Sequence, residues 1–261
     1  MAEKLLKSGI IVSSMTLISR VLGLLRDVVI AAFVGAGAAA DAFFFANRIP
    51  NFLRRLFAEG AFAQAFVPVL SEVKAQYGDD AVRALVAKVA GTLGVIVLLV
   101  TLFGVFASPL VAMLFGMGWF IEWLQGGPDA ERFELASLML KITFPYLFFV
   151  SLVALSGAVL NTYNKFAVAA FTPVFLNIAI IIAAVYTADW FSEPALALAW
   201  GVFFGGLIQL LFQLPFLARA GVWVRPRWGW RDPGVVKIRT LMLPAIFGVS
   251  VSQINLLLDT V

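Results

Sequence analysis

A chain of 261 residues that is 62% hydrophobic and only 13% charged, with a net charge of +4, is not a soluble domain, in which about a quarter of residues are charged. Cysteine and histidine are both absent, which removes disulfides, thiolate chemistry, the commonest metal ligand and the commonest general base together. What remains is an all-α polytopic membrane protein, for which no metal and no cofactor are expected.

In chain order, the first two segments, 8–35 and 39–73, are hydrophobic but interrupted by charge. Arg20, Arg26 and Asp27 lie in the first; Asp41, Arg48, Arg54, Arg55 and Glu59 lie in the second. No uncharged stretch in either reaches the roughly 20 residues of an ordinary span, so both cross a bilayer only if their charges point into protein or water. Their length predicts tilt or bending, with Gly23, Pro50, Gly60 and Pro68 as kink sites. Uncharged runs follow at 89–121, 142–164, 166–188, 194–218 and 240–258, each long enough to cross ~30 Å of hydrocarbon. Seven spans are therefore expected. Lys4 and Lys7 ahead of an apolar run imitate a secretory signal, but the run meets Arg20 before any small-residue cleavage site, which predicts an uncleaved first span.

Basic residues concentrate in alternate connections. Lys4 and Lys7 precede the first span, Lys74, Arg83 and Lys88 join the second to the third, and Lys165 joins the fourth to the fifth; Arg219, Arg225, Arg227, Arg231, Lys237 and Arg239 join the sixth to the seventh. The positive-inside rule then puts the amino terminus in the cytoplasm. Trp119, Trp123 and Trp190 fall on the external side and Trp223, Trp228 and Trp230 on the cytoplasmic side, as headgroup-level anchors do. Gly201, Gly205 and Gly206 are expected to permit close helix contact.

Helical spacing sorts the charges of the first two segments. Ser13, Arg20 and Asp27 are seven apart and form one stripe; Asp41, Arg48 and Arg55 form another, joined by Glu59 four residues on. Arg26 and Arg54 are expected beside these stripes. A charge at membrane depth costs ~2.5–3.5 kcal/mol on insertion scales and ordinarily faces a protein interior or a watery cavity. Five arginines stand against three acids, so such a cavity attracts anions, and guanidinium forks suit a diphosphate better than a monovalent ion. A lipid-linked phosphate is the natural candidate, its tail left in the bilayer. The plainer reading makes Arg55 and Glu59 an i,i+4 pair, puts Arg26 and Asp27 near an interface and has Asp41 cap a helix. It leaves Arg54 and Arg55 together unexplained, since one glutamate does not neutralise both.

At these residues the chain resembles the MurJ/MviN family of lipid II flippases, within the multidrug/oligosaccharidyl-lipid/polysaccharide exporter superfamily. The likeness rests on SSMTLISRVLGLLRD at 13–27, GAGAAADAFFFANRIPNFLRRLFAEGAFAQAFVPVL at 35–70, LKITFPY at 140–146, GAVLNTYNKF at 157–166 and LPAIFGVSVSQIN at 243–255. The resemblance implies two six-helix lobes around a cationic cavity, with two further helices, and translocation of the undecaprenyl-diphosphate-linked disaccharide-pentapeptide precursor of peptidoglycan from the inner to the outer leaflet of a bacterial plasma membrane. By motif position it implies substrate binding at Arg20, Arg26, Arg54 and Arg55, with Asp41 as a charge partner; Asp27, Arg48 and Glu59 complete the set of balancing charges.

On that likeness residues 1–220 are expected to form a six-helix amino-terminal lobe, 221–240 a basic cytoplasmic connection and 241–261 the start of a seventh helix, where the chain looks truncated. Asp259 is then an intramembrane acid available to a coupling ion. Expected partners are lipid II, membrane phospholipids and the cell-wall synthesis machinery, with no nucleic acid. Two other functions compete: another exporter of the superfamily, for polysaccharide-lipid or drug, and an intramembrane polyprenyl-diphosphate enzyme. The enzyme would want paired acids holding magnesium. Asp79 and Asp80, the adjacent acid pair, lie in a basic loop without a ligand pattern.

Overall fold

Apolar runs punctuated by proline and glycine give helices that break and resume. The computed structural model describes residues 2–35, 37–55, 61–127 and 130–258, the side chains of 2–8 and 249–258 excepted. Among the described residues there are eleven α-helices, and the order runs α1 Ala2–Phe33, α2 Ala38–Leu53, α3 Phe62–Phe106, α4 Ser108–Phe115, α5 Met117–Gln125 and α6 Ala130–Thr143. It continues with α7 Pro145–Thr162, α8 Phe166–Phe171, α9 Pro173–Ile182, α10 Pro194–Arg219 and α11 Pro233–Leu258. A π turn, Ala183–Thr187, and a 3₁₀ turn, Ala188–Trp190, extend α9.

Four helical stretches among the described residues are long and apolar enough to cross a membrane: Phe62–Phe106, Ala130–Thr162, Phe166–Trp190 and Pro194–Arg219. α1, α2 and α11 are not in that set. The first of the four is not one straight rod. At Gly78 the backbone leaves the helical region, with φ 77° and ψ −169°, a conformation that favours glycine. Phe62 and Ile96 line the same cavity, although a straight helix would hold them ~50 Å apart at 1.5 Å per residue. The arms 62–77 and 79–106 therefore fold back on each other, and the turn lies in the basic second-to-third connection read from the sequence.

Two expected spans need correction. The run 89–121 does not continue as one helix. It ends at Phe106, and the chain restarts at α4 with Pro109 in its first turn and again at α5 after Gly116. The run expected from 142 begins earlier, at Ala130, so that Lys141 lies inside α6. The helix breaks again between Thr143 and Pro145, where proline cannot donate to the preceding turn.

Packing forms two cores. One joins α2, α6, α7 and α10 through Phe43, Ala46, Met139, Leu140, Phe144 and Leu198; the other joins both arms of α3 to α7, α10 and α11 through Phe66, Leu70, Val86, Val159, Leu217 and Ile238. Since lipid tails are as apolar as leucine, close contact rather than burial drives these helices together. α10 supplies it with glycine: a methyl on Gly205 would sit 2.7 Å from Leu176 Cδ1 in α9, and one on Gly206 would sit 2.6 Å from Tyr146 Cδ2 in α7. Between the cores lies a buried polar hub. Gln213 donates to Thr172 Oγ1 at 2.9 Å and Gln209 to the Thr172 carbonyl at 3.2 Å, where the break between α8 and α9 frees backbone groups.

The end of the bundle that carries the basic connections is stitched by polar contacts between them. Tyr163 donates to Asp79 at 2.7 Å, Lys74 donates to the Thr162 carbonyl at 2.8 Å, and Arg83 donates to the Gly221 carbonyl at 2.8 Å. Burial, with the hydrogen bond and charge of Asp79, pushes the Tyr163 hydroxyl up to about 12. Lys88 holds Asp232. Burial opposes ionisation of that carboxyl, but the hydrogen bond and charge of Lys88, with the N–H groups of Val235 and Gly234, hold it below the ordinary carboxylate value. This tie is therefore present at neutral pH and is lost as pH falls through that depressed value.

The segment 222–229 has no regular structure and lies directly on α3. The Arg227 N–H donates to the Ala87 carbonyl at 2.8 Å and the Gly229 N–H to Thr92 Oγ1 at 3.1 Å, and any side chain on Gly91 would collide with the Arg227 backbone. Gly91→Val is expected to cost about 1–3 kcal/mol by overpacking and to lift this segment from α3. Trypsin cleavage after Arg227 in the detergent-solubilised full-length protein should then accelerate; unchanged cleavage would show that the contact does not hold the segment.

Candidate functional site

α1 is an apolar helix interrupted by charge, with one packed side. Its seam against α8 and α9 runs through Met15, Ser19, Leu22, Arg26 and Ile30, whereas Ser13, Arg20 and Asp27 are exposed, as are the apolar residues Leu17, Val21, Leu24 and Val28 between them. The stripe spaced by sevens thus lies on the unpacked side. Arg26 does not lie beside it: six residues from Arg20 is a third of a turn around the axis, and this side chain enters the seam.

There Arg26 is held from two directions. Its Nε and Nη2 donate to Asp27 Oδ1 at 2.9 and 2.7 Å, and its Nη1 donates to Asn177 Oδ1 at 3.0 Å. Asn177, in α9, is only 7% exposed and donates in turn to the Ser19 carbonyl at 3.1 Å. One amide therefore grips α1 at two levels, two turns apart.

α2 is amphipathic. Ala42, Phe43, Ala46, Ile49 and Pro50 are buried, mostly against α6, while Asp41, Phe44 and Arg48 are exposed. Asp41 lies in the first turn without a side-chain cap bond and pairs with Arg132 of α6 at 3.7 Å, so the capping reading of Asp41 gives way to an interhelical ion pair. Below it Asn51 donates to the Asn47 carbonyl and to Asn47 Oδ1 at 2.8 and 3.0 Å, and Arg54 Nε donates to Asn51 Oδ1 at 3.2 Å. Arg54 is half-buried and Arg55 exposed. The backbone widens into a π turn at these two residues, so the seven-residue stripe of Asp41, Arg48 and Arg55 does not keep α-helical register to its end. Glu59 and Asp259 lie outside the described residues.

The structure thus joins Arg26, Asp27 and Asn177 in one cluster, Asp41 and Arg132 in a second, and Arg54, Asn51 and Asn47 in a third. Asn177, Arg132, Asn47 and Asn51 lie outside the two charge stripes. A lone amide inside the apolar run PVFLNIAIII, and two amides four apart in α2, are the signals that point to them, since polar groups at membrane depth seek partners across helices.

Residues 30–261 match the family model described as lipid II flippase MurJ. The chain belongs to the MurJ family. It is 68% identical over 259 residues to a protein of Vibrio cholerae named "Probable lipid II flippase MurJ", covering 99% of this chain and 49% of the relative. It is 43% identical over 262 residues to "Lipid II flippase MurJ" of Burkholderia cenocepacia, covering 98% and 49%. A solved structure of "Lipid II flippase MurJ, inward closed conformation" superposes with a TM-score of 0.73 at 29% identity, over 96% of this chain and 50% of that one. The chain spans about half the length of the curated MurJ relatives it matches.

Two outcomes follow from this geometry. In a double-mutant cycle on the full-length protein, Asn177→Ala should lower unfolding stability by about 1 kcal/mol, and Arg26→Ala should add less on that background than alone, because the two share one hydrogen bond; strict additivity would dissolve the link. Reversing the ion pair as Asp41→Arg with Arg132→Asp should recover more activity than either single reversal. Equal loss in all three variants would assign the two residues independent roles.

Proposed function

We propose that in the complete protein this chain forms the amino-terminal lobe, the basic connection and the seventh helix of a lipid II flippase. The protein would move the undecaprenyl-diphosphate-linked disaccharide-pentapeptide from the inner to the outer leaflet of the bacterial inner membrane by alternating access, with its amino terminus in the cytoplasm. The observation that carries this reading is the pair of exposed helix faces on which Arg20, Arg48 and Arg55 stand among apolar residues, in a member of the MurJ family.

Arg20, Arg26, Arg54 and Arg55 bind the diphosphate. Several guanidinium forks converging in one cavity neutralise two adjacent phosphates while leaving the tail in lipid. Asp27 and Asn177 aim Arg26, and Asn51 aims Arg54; Arg48 and Glu59 balance the remaining charge. Asp41 exchanges ion-pair partners between inward- and outward-facing states, Arg132 being its partner in the present one, and Asp259 serves a coupling ion. The chain has no phosphate-cradling glycine loop, so the driving force is an ion gradient or the membrane potential, which acts on each charge with ~2.3 kcal/mol per 100 mV. Membrane phospholipids surround the protein, and the cell-wall synthesis machinery receives its product.

In cells depleted of their own flippase, full-length Arg54→Ala or Arg55→Ala protein should insert at normal level yet leave lipid II in the inner leaflet, and lysine at either position should restore only part of the flipping. A leaflet-resolved lipid II assay reads this directly. Normal flipping by either alanine variant would remove that arginine from the binding site.

A further inference from the structure

Thr172 decides how the two buried glutamines of α10 are turned. Its hydroxyl gives its proton to the Val168 carbonyl at 2.8 Å, so toward Gln213 it only accepts, and its carbonyl has nothing but lone pairs to offer Gln209. Both amides must therefore present nitrogen to Thr172. Flipping either one would set oxygen against oxygen. As a result Gln209 Oε1 and Gln213 Oε1 are both turned away from Thr172, and both are buried with no donor among the described residues. The two side chains stand four residues apart on α10 and are neighbours on its surface.

We propose that these two oxygens hold one captured water, which donates one O–H to each and completes the polar hub at the break between α8 and α9. The donor set selects that ligand. Each amide nitrogen spends one N–H on Thr172 and keeps a second, so the site offers acceptors and donors side by side. A cation would be drawn to the oxygens but opposed by the N–H groups, and two neutral oxygens do little to replace the hydration it gives up. An anion meets the reverse problem. Water gives and receives hydrogen bonds in equal number, and buried waters ordinarily sit where otherwise unsatisfied polar groups converge. Space lies where α7 passes the hub: a methyl on Gly157 would meet Ala169 Cβ at 3.5 Å and Gln213 Nε2 at 3.8 Å, ordinary contacts with nothing nearer. The packing beside this amide thus admits a group about as large as a water molecule. The water ties two successive turns of α10 to each other and, through Thr172, to the broken helix beside them. The site is independent of the transport reading, since none of its residues belongs to the proposed diphosphate set.

The test is an experimental structure of the full-length protein at a resolution that shows ordered water, obtained once in sodium buffer and once with N-methylglucamine in place of sodium. One density peak should lie within about 2.5–3.0 Å of both Gln209 Oε1 and Gln213 Oε1, and it should be the same in the two buffers. Gln213→Leu, which removes one acceptor and one anchor, should erase the peak. Three results overturn the proposal: no peak between the two oxygens, a peak that disappears with sodium and so belongs to a cation, or a peak that survives Gln213→Leu and so is held by other groups. The two wild-type structures decide the matter even if the leucine variant fails to fold.

Discussion

Hydrocarbon leaves no solvent to answer a polar group, so a polar atom placed at membrane depth must find a partner in the protein or face water. Arg26 meets this demand through Asn177 and Asp27, and the amide that answers it also takes the Ser19 carbonyl. Asn177 is 7% exposed while Asp27, on the same guanidinium, has a side chain 60% exposed. The cluster is thus anchored on its inner side and open on its outer side. That arrangement fixes the rotation of α1 about its own axis, which in turn decides that Arg20 and Asp27 lie on the unpacked face.

The same demand shapes the helix breaks. Interrupting a transmembrane helix frees carbonyls that must be re-satisfied, and breaks are tolerated where neighbouring side chains do so. Between α8 and α9 the Thr172 carbonyl, which accepts from the Phe175 N–H at 3.2 Å, also accepts from Gln209, while the Thr172 hydroxyl accepts from Gln213 and donates to the Val168 carbonyl. The glutamines reach it because α10 approaches closely through Gly201, Gly205 and Gly206, where a side chain would strike Ala183, Leu176 or Tyr146. Small residues and buried amides therefore work together: the first bring the backbones near, and the second become able to bridge them.

How much of this was legible in the sequence follows from which signals are local. The four long apolar helices were, because hydropathy is a property of consecutive residues, and so were the stripe of Ser13, Arg20 and Asp27 and the small-residue face of α10. The likeness carried by the PNFLRRLFAEGAFAQAFVP segment agrees with the family model over 30–261. Helix ends were misjudged where one apolar run hides a break, as at Phe106, and where a charged turn continues a helix, as at Glu131 and Arg132. Partners were not legible. Arg26 and Asn177 are 151 residues apart, and neither the Arg132 ion pair nor the grip of one asparagine on two turns of α1 leaves a mark in local spacing. Register was lost at Arg54 and Arg55 because a π turn has no periodicity that a sevenfold count detects.

The proposed alternating-access cycle needs one lobe held rigid while its cavity contacts change, and the polar interactions of this chain divide along that line. Gln209 and Gln213 are 4% and 1% exposed; breaking bonds at such depth strands a donor or acceptor without water and costs ~1–3 kcal/mol for each group. The Asp41–Arg132 pair is different, with side chains 53% and 31% exposed and a separation of 3.7 Å, in the class of ion pairs worth about 0–1 kcal/mol. Exchanging that pair for another therefore costs little, whereas rearranging the hub costs several times more. A charge that changes partners during a cycle belongs where solvent can bridge the exchange, and the amides that keep helices in register belong where it cannot. The exposed arginines of α1 and α2 and the buried glutamines of α10 occupy opposite sides of that division.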